Sequence, residues 1–201
     1  MIKNYIKILF IITGSLLFFS WKAWGQGGLV TTGTPVVYEV TIQKFEISQD
    51  GGQTWVTLSD ASATFDLAQV STGKAVGNYL SQNGIQAGTY NAVRITISST
   101  FTIKGYVFYN GLYYYTSPGG TKTTSSWNDN NPPGDYGQQA VQPPDSGDTF
   151  TDVDTSHTLT IEPGTTTKIS ISFDVTGKLG LFNIGGYQLL PTPPTVHVTV
   201  E

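Results

Sequence analysis

The stretch GIQAGTYNAVRITIS, residues 84–98, decides the fold class. After Asn91, apolar residues take every second position, at Val93, Ile95 and Ile97, and the residues between them are polar. A strand points successive side chains to opposite faces, so this two-residue period predicts a half-buried β-strand. Gly88 marks a turn just before it.

The same period recurs on both sides of this stretch. It runs through residues 36–42, shifts phase before Phe45, and returns in residues 169–175 and 196–200. The phase shift predicts a β-bulge near Lys44. Turn signals separate the strands, and no long helical period or internal repeat is visible. We therefore predict an all-β fold, an antiparallel β-sandwich of about seven to eight strands.

The first 25 residues have the three parts of a secretory signal peptide. Two lysines open it, residues 8–19 are apolar, and Ala23-Trp24-Gly25 has the small residues of a cleavage site. The apolar run is shorter than the roughly 20 residues of a membrane span, so we expect export without membrane insertion. The predicted organisation is a signal peptide (1–25), a flexible leader (26–35) and a single β-sandwich domain (36–201).

Composition narrows the classes of partner. Removing residues 1–25 leaves seven basic against fourteen acidic residues, a net charge of −7. A negative surface argues against nucleic acid and against docking on anionic lipid. The chain has no cysteine, which excludes disulfides, thiol catalysis and cysteine-based metal sites.

Few aliphatic residues occur between Ser117 and Asp148. This composition predicts one long polar surface loop, inserted around residues 117–154. Calcium favours oxygen-rich loops, and six aspartates fall in this region, at positions Asp129, Asp135, Asp145, Asp148, Asp152 and Asp154. Their spacing fits no EF-hand or repeat motif, so we predict a solvated acidic loop with neither a metal site nor a cofactor, and ordered calcium in this loop stays an open alternative.

Three blocks of sequence together resemble a known family. They are KFEISQDGGQTWVTL, then TFDLAQV with IQAGTYNAVRITIS, then LTIEPGTTTKISISFDV with GYQLLPTPPTVHVTV. They resemble an uncharacterised family of bacterial and archaeal envelope proteins, a domain of unknown function with a transthyretin-like, carbohydrate-binding-like β-sandwich. The resemblance spans about residues 36–199 and implies the fold, but no activity, because the family has none assigned. This chain lacks the anchoring cysteine of many relatives, and its polar loop is longer.

The sequence offers few candidate catalytic groups. His157 and His197 are its only histidines, and no G-x-S-x-G motif accompanies them. Asp66 and Asp174 would be the carboxylates of a glycosidase, but an aspartate beside a turn more commonly caps backbone N–H groups. We therefore expect no enzymatic activity.

The candidate binding surface lies in GYVFYNGLYYYTSPGG, residues 105–120. Asn110-Gly111 is a strong signal for a two-residue type I′ hairpin, which would place Val107 and Leu112 on the face toward the core. The opposite face would carry four rings, with a fifth above them, and these are the candidate ligand-binding residues: Tyr106, Phe108, Tyr113, Tyr115 and Trp127. Cross-strand aromatic pairs also stabilise hairpins, so a purely structural role stays open.

These features favour an exported, non-enzymatic domain for surface adhesion or ligand binding, with carbohydrate as the preferred ligand class. The expected location is extracellular, at the cell surface or in the periplasm. The expected partners are glycans, other surface proteins or further copies of the chain. The alternative is a structural subunit of an extracellular filament or matrix, assembled by adding its N-terminal segment to a neighbour's sheet. An envelope hydrolase is the weakest alternative.

Overall fold

The computed structural model describes residues 5–9, 28–69, 78–83, 85–142, 147–163 and 166–200. This part of the chain is built from strands, with one 3-10 turn at Leu67–Gln69. The strands are β1 (Tyr5–Leu9), β2 (Leu29–Gly33), β3 (Val37–Ser48), β4 (Val56–Ser59), β5 (Ala63–Asp66), β6 (Asn78–Asn83), β7 (Gly88–Tyr90), β8 (Ala92–Ser98), β9 (Phe101–Lys104), β10 (Tyr106–Tyr109), β11 (Leu112–Tyr115), β12 (Lys122–Thr124), β13 (Gln139–Val141), β14 (Thr149–Asp154), β15 (Leu159–Ile161), β16 (Thr166–Asp174), β17 (Leu179–Asn183), β18 (Tyr187–Pro191) and β19 (Thr195–Val200).

The largest sheet is organised around the long strand β3. One edge of β3 pairs with β9 and then β8, and the other edge pairs with β5 and then β4. Strands β13 and β14 extend the sheet beyond β9 and β8. All these pairs are antiparallel, and consecutive short strands behave as segments of one bent strand. The short strands thus combine into fewer long ones, and the predicted antiparallel β-sandwich is confirmed.

The predicted bulge in β3 is also confirmed. Its register against β8 shifts between Ile42 and Lys44. An extra residue there lets Ile42 and Phe45 both point into the core, where each is almost fully buried.

The hydrophobic core lies between this sheet and the remaining strands. Those strands form the sheets β19-β16-β1-β6, β18-β17-β2, β10-β11-β12 and β15-β7. The core contains large side chains from both layers, including Tyr38, Phe45, Phe101, Leu159, Leu181 and Leu189. Tyr38 is fully buried, and its hydroxyl donates to the backbone oxygen of Thr192 at 2.9 Å, which satisfies its polar atom.

The prediction of a flexible leader over residues 26–35 is wrong for most of that segment. Leu29–Gly33 forms β2, which pairs with β17. The β-branched run Val30-Thr31-Thr32 suits a strand. Gly33 lets the strand approach closely, because a Cβ there would lie 2.8 Å from the backbone oxygen of Tyr106. Residues 26 and 27 lie outside the described residues.

The prediction of one long loop over residues 117–154 is also wrong in part. This region contains β12, β13 and β14, and β14 pairs with β8 over six residues, from Thr149 to Asp154. These strands have few aliphatic side chains because they lie at sheet edges, where one face meets solvent. The continuous irregular part is residues 125–138, after β12.

The proposed cleavage site after Gly25 lies outside the described residues. Of the predicted signal peptide, the structure describes only β1. This strand pairs in parallel with β16 and antiparallel with β6, and so lies between them.

Candidate functional site

The hairpin of β10 and β11 forms in the predicted register. Tyr109 lies opposite Leu112, and Tyr106 lies opposite Tyr115. Asn110 and Gly111 both have positive φ, 47° and 78°, as a type I′ turn requires. Asparagine and glycine tolerate this conformation better than other residues, so this dipeptide fixes which side chains share a face.

The face with Val107 and Tyr114 is turned toward the core, and both side chains are buried. Leu112, predicted to face the core with Val107, is instead 37% exposed, because it lies beside the turn at the tip of the hairpin. The ring of Tyr187, from β18, packs against Tyr114 edge-on at 5.1 Å between centroids and against Tyr109 at 5.8 Å. This side of the hairpin is therefore anchored to the sheet β18-β17-β2.

The opposite face carries the predicted rings, and the structure brings all five together. Trp127 lies over Tyr106 with 4.1 Å between ring centroids, and its centroid is 6.0 Å from that of Tyr113 and 5.7 Å from that of Tyr115. Phe108 packs against Tyr113 at 4.7 Å. We call Tyr106, Phe108, Tyr113, Tyr115 and Trp127 the ring face.

Residues 125–138 hold Trp127 in this position. Thr116, at the end of the hairpin, is fully buried and closes the segment, because its hydroxyl donates to the backbone oxygen of Gly137 at 2.8 Å. Asp129 accepts from the indole N–H of Trp127 at 2.7 Å and from the hydroxyl of Tyr106 at 3.2 Å. Asp135 accepts from the hydroxyl of Tyr115 at 2.8 Å. Two aspartates of the acidic region thus accept hydrogen bonds from the aromatic side chains of the ring face.

The environment of the ring face raises the pKa of two of its tyrosine hydroxyls, those of Tyr106 and Tyr115. Burial and the nearby Asp129 raise the pKa of Tyr106, and burial and Asp135 raise that of Tyr115. Tyr136 packs edge-on against Trp127 at 4.9 Å, and burial, followed by Tyr106 and Asp129, raises its pKa to about 12. Tyr136 was not among the predicted site residues, since only the fold of the loop brings it against Trp127.

The ring face is covered at its base and open at its tip. Tyr115 is 5% exposed, whereas Phe108, beside the turn, is 56% exposed. Tyr106, Tyr113 and Trp127 lie between these extremes. Part of the aromatic cluster therefore stabilises the hairpin, and the surface open to a ligand is smaller than the sequence suggested.

The histidine considered for catalysis belongs to a local turn. His157 Nδ1 contacts Asp154 Oδ2 at 2.6 Å, and Ser156 Oγ contacts both His157 Nδ1, at 3.0 Å, and Asp154 Oδ1. A catalytic triad needs the serine and the aspartate on opposite ring nitrogens. Here both contact the same nitrogen, so this group caps a turn. The side chain of His197 lies outside the described part of the chain.

The two candidate glycosidase carboxylates also cap backbone. Asp66 accepts from the N–H groups of Tyr38 at 2.9 Å and Ala68 at 3.1 Å. Asp174 accepts from the N–H of Thr176 at 2.8 Å. Within the described residues, no three His, Cys, Asp or Glu side chains come together as a potential metal site.

Comparison with known proteins identifies a family for this chain and nothing more specific. No curated protein and no solved structure matches the chain. Within the described residues, no helix is long and apolar enough to cross a membrane. One family model, described as "Domain of unknown function (DUF4382)", matches residues 37–191, which is most of the chain and includes the whole hairpin and its covering loop. The protein therefore belongs to the DUF4382 family of domains of unknown function.

Proposed function

We propose that this protein is an exported, non-enzymatic domain that binds carbohydrate at the cell surface through the open end of the ring face. The observation that carries the proposal is the pairing of an exposed ring, Phe108, with half-buried Tyr113 and Trp127 in one packed surface. A contiguous exposed apolar patch often marks a binding site, and Phe108 forms such a patch with the adjoining rings of Tyr113 and Trp127.

The chemistry at the edge of these rings supports a sugar ligand. Sugars place their C–H faces on aromatic rings and their hydroxyls on polar groups at the border. The segment Asn128-Asp129-Asn130 is exposed directly beside Trp127 and offers such groups. Because Asp129 already positions Trp127 and Tyr106, the surface is preorganised, which lowers the entropy cost of binding.

The test is a glycan array, followed by calorimetric titration with the neutral oligosaccharides that bind. Phe108→Ala and Tyr113→Ala should each weaken binding by about tenfold, because each removes a stacking ring. Tyr115 is unsuitable for this test, since it is buried and its removal would disturb the fold.

Leu112→Ala is the matched control. It shortens an exposed side chain on the same hairpin but on the opposite face, and it should leave binding unchanged. Absence of binding to every glycan, or equal weakening by Leu112→Ala, would contradict the proposal.

The second candidate function, a filament subunit that donates its N-terminal segment, is less well supported. The segment it requires forms β2 and pairs with β17 of the same chain. Size-exclusion chromatography checks this ranking, because a filament subunit would elute as high-mass species that disappear when residues 26–34 are deleted.

A further inference from the structure

A polar cleft lies on the opposite side of the hairpin from Trp127. Its volume is about 330 Å³. It opens between the turn that follows β11 and the start of β18, and it is lined by three glycines (119, 120 and 186), Thr121, Gln139, Tyr187 and Gln188. We infer that this Tyr187 cleft is a separate binding site for a neutral polyhydroxylated ring, of the size of one hexose.

The first argument is an unsatisfied acceptor. The amide oxygen of Gln139 is buried, and it has no hydrogen-bond donor among the described residues. Buried polar atoms are nearly always paired, and Gln139 lines the cleft, so turning its amide toward the cleft would let a ligand hydroxyl donate to this oxygen.

The second argument is the aromatic wall. Tyr187 is 38% exposed although its ring is packed against Tyr109 and Tyr114. These contacts restrict the ring. A fixed, half-exposed tyrosine next to amide groups is suited to stacking against the apolar face of a sugar.

The third argument is the absence of charge and bulk in the lining. None of the lining residues carries a charge, which favours a neutral ligand. A Cβ added at Gly119, Gly120 or Gly186 would meet no atom within 4 Å, so these walls leave room for a ligand. Thr121 Oγ1 accepts from the N–H of Leu189 at 2.8 Å, which fixes the turn against β18.

The Tyr187 cleft is independent of the ring face. Tyr187 contacts the Tyr109 and Tyr114 side of the hairpin, whereas Trp127 contacts the Tyr106, Tyr113 and Tyr115 side. Binding at one site can therefore be disproved without affecting the other. A spectrum that resolves individual backbone amides shows which of the two sites a ligand occupies.

The test is a two-dimensional amide NMR titration of the folded protein with glucose, galactose, mannose and N-acetylglucosamine, each in turn. At least one sugar should shift the amides of Gly119, Gly120 and Gly186 in a saturable manner. Gln139→Met, which keeps the length of the side chain but removes the acceptor, should weaken this binding by about tenfold. Gln53→Met, in the exposed turn before β4, is the matched control and should bind like the native protein.

Gly119→Val provides a second variant if Gln139→Met does not fold. Gly119 does not have positive φ, and open space surrounds it, so valine should fill the cleft without straining the backbone. It should abolish the shifts at Gly120 and Gly186. The inference is overturned if none of the four sugars shifts the cleft amides, or if both variants bind like the native protein. Shifts confined to Phe108 and Tyr113 would support the proposed function and refute the cleft.

Discussion

At the scale of single residues, a buried ion-pair cluster lies on the outer face of the main sheet. Glu46 alternates with the core residues Phe45 and Ile47, yet it is only 3% exposed. Its carboxylate contacts the guanidinium of Arg94 at 2.6 Å and Lys44 Nζ at 2.8 Å. Arg94 in turn lies over the ring of Trp55, 4.2 Å from its centroid. An outward-facing acid is thus buried beneath its own partners.

Glu46 should make the fold sensitive to acid. The hydrogen bond from Arg94, followed by that from Lys44, outweighs burial and lowers the pKa of Glu46 from 4.5 to about 2. A lowered carboxyl pKa stabilises the fold above pH 4.5, and this contribution is lost as the pH falls toward 2. Glu46→Gln should therefore lower the free energy of unfolding at neutral pH by about 3 kcal/mol.

Urea unfolding at a series of pH values measures this effect. The Gln variant should lose the part of the slope of stability between pH 4.5 and 2 that Glu46 supplies. A residual slope should persist, because hydrogen bonds from Thr54 and Ser48 also lower the pKa of Asp50. Glu39→Gln removes the same charge from the same strand and serves as the control. Identical slopes in the Glu46 variant and the native protein would refute the assignment.

At the scale of elements, the features that depend on local sequence were predicted correctly. Asn110-Gly111 fixes the hairpin register by itself, and the phase shift before Phe45 locates the bulge. Strand β14 was missed because its residues have little apolar character, and it forms only because the edge of β8 is available to pair. For the same reason β2 was taken for a flexible leader. A strand that depends on a distant partner leaves a weak trace in its own sequence.

The docking of β2 gives a prediction for Gly33. A Cβ at this position would lie 2.8 Å from the backbone oxygen of Tyr106 and 3.0 Å from Val107 Cγ2, and the backbone oxygen cannot move aside easily. Gly33→Ala should therefore lower the free energy of unfolding by about 2 kcal/mol and increase hydrogen exchange in β2. Gly28→Ala, just before the same strand, meets no atom within 4 Å and should be neutral. Equal stability of the two variants would show that β2 does not pack against β10 as described.

At the scale of the whole molecule, the predicted export has a consequence for one sheet. Strand β1 belongs to the predicted signal peptide, and it lies between β16 and β6. Intact mass measurement of the exported protein should give a chain that begins at Gln26 and therefore lacks β1. A mass that includes residues 1–25 would show that the segment is retained and that the predicted cleavage is wrong.

The fold class and the family could be predicted from the sequence, but the shape of the ring face could be predicted only in part. Alternation and turn signals are local, and they determine which residues share a face. Whether the ring face is covered depends on Thr116 and Gly137, which are 21 positions apart in sequence and meet only in the folded chain. The Tyr187 cleft likewise joins three separate segments, so no local pattern could indicate it.

The packing around Trp127 also gives the molecule a built-in optical probe. Four tyrosines surround this indole, with ring centroids 4.1 to 6.0 Å away: Tyr106, Tyr113, Tyr115 and Tyr136. At such distances light absorbed by the tyrosines is passed to the tryptophan, so their own emission is quenched. If residues 1–25 are removed, Trp55 is the only other tryptophan left in the chain. Opening of the loop would then appear as a rise in tyrosine emission, and movement of this one segment can be followed without any label.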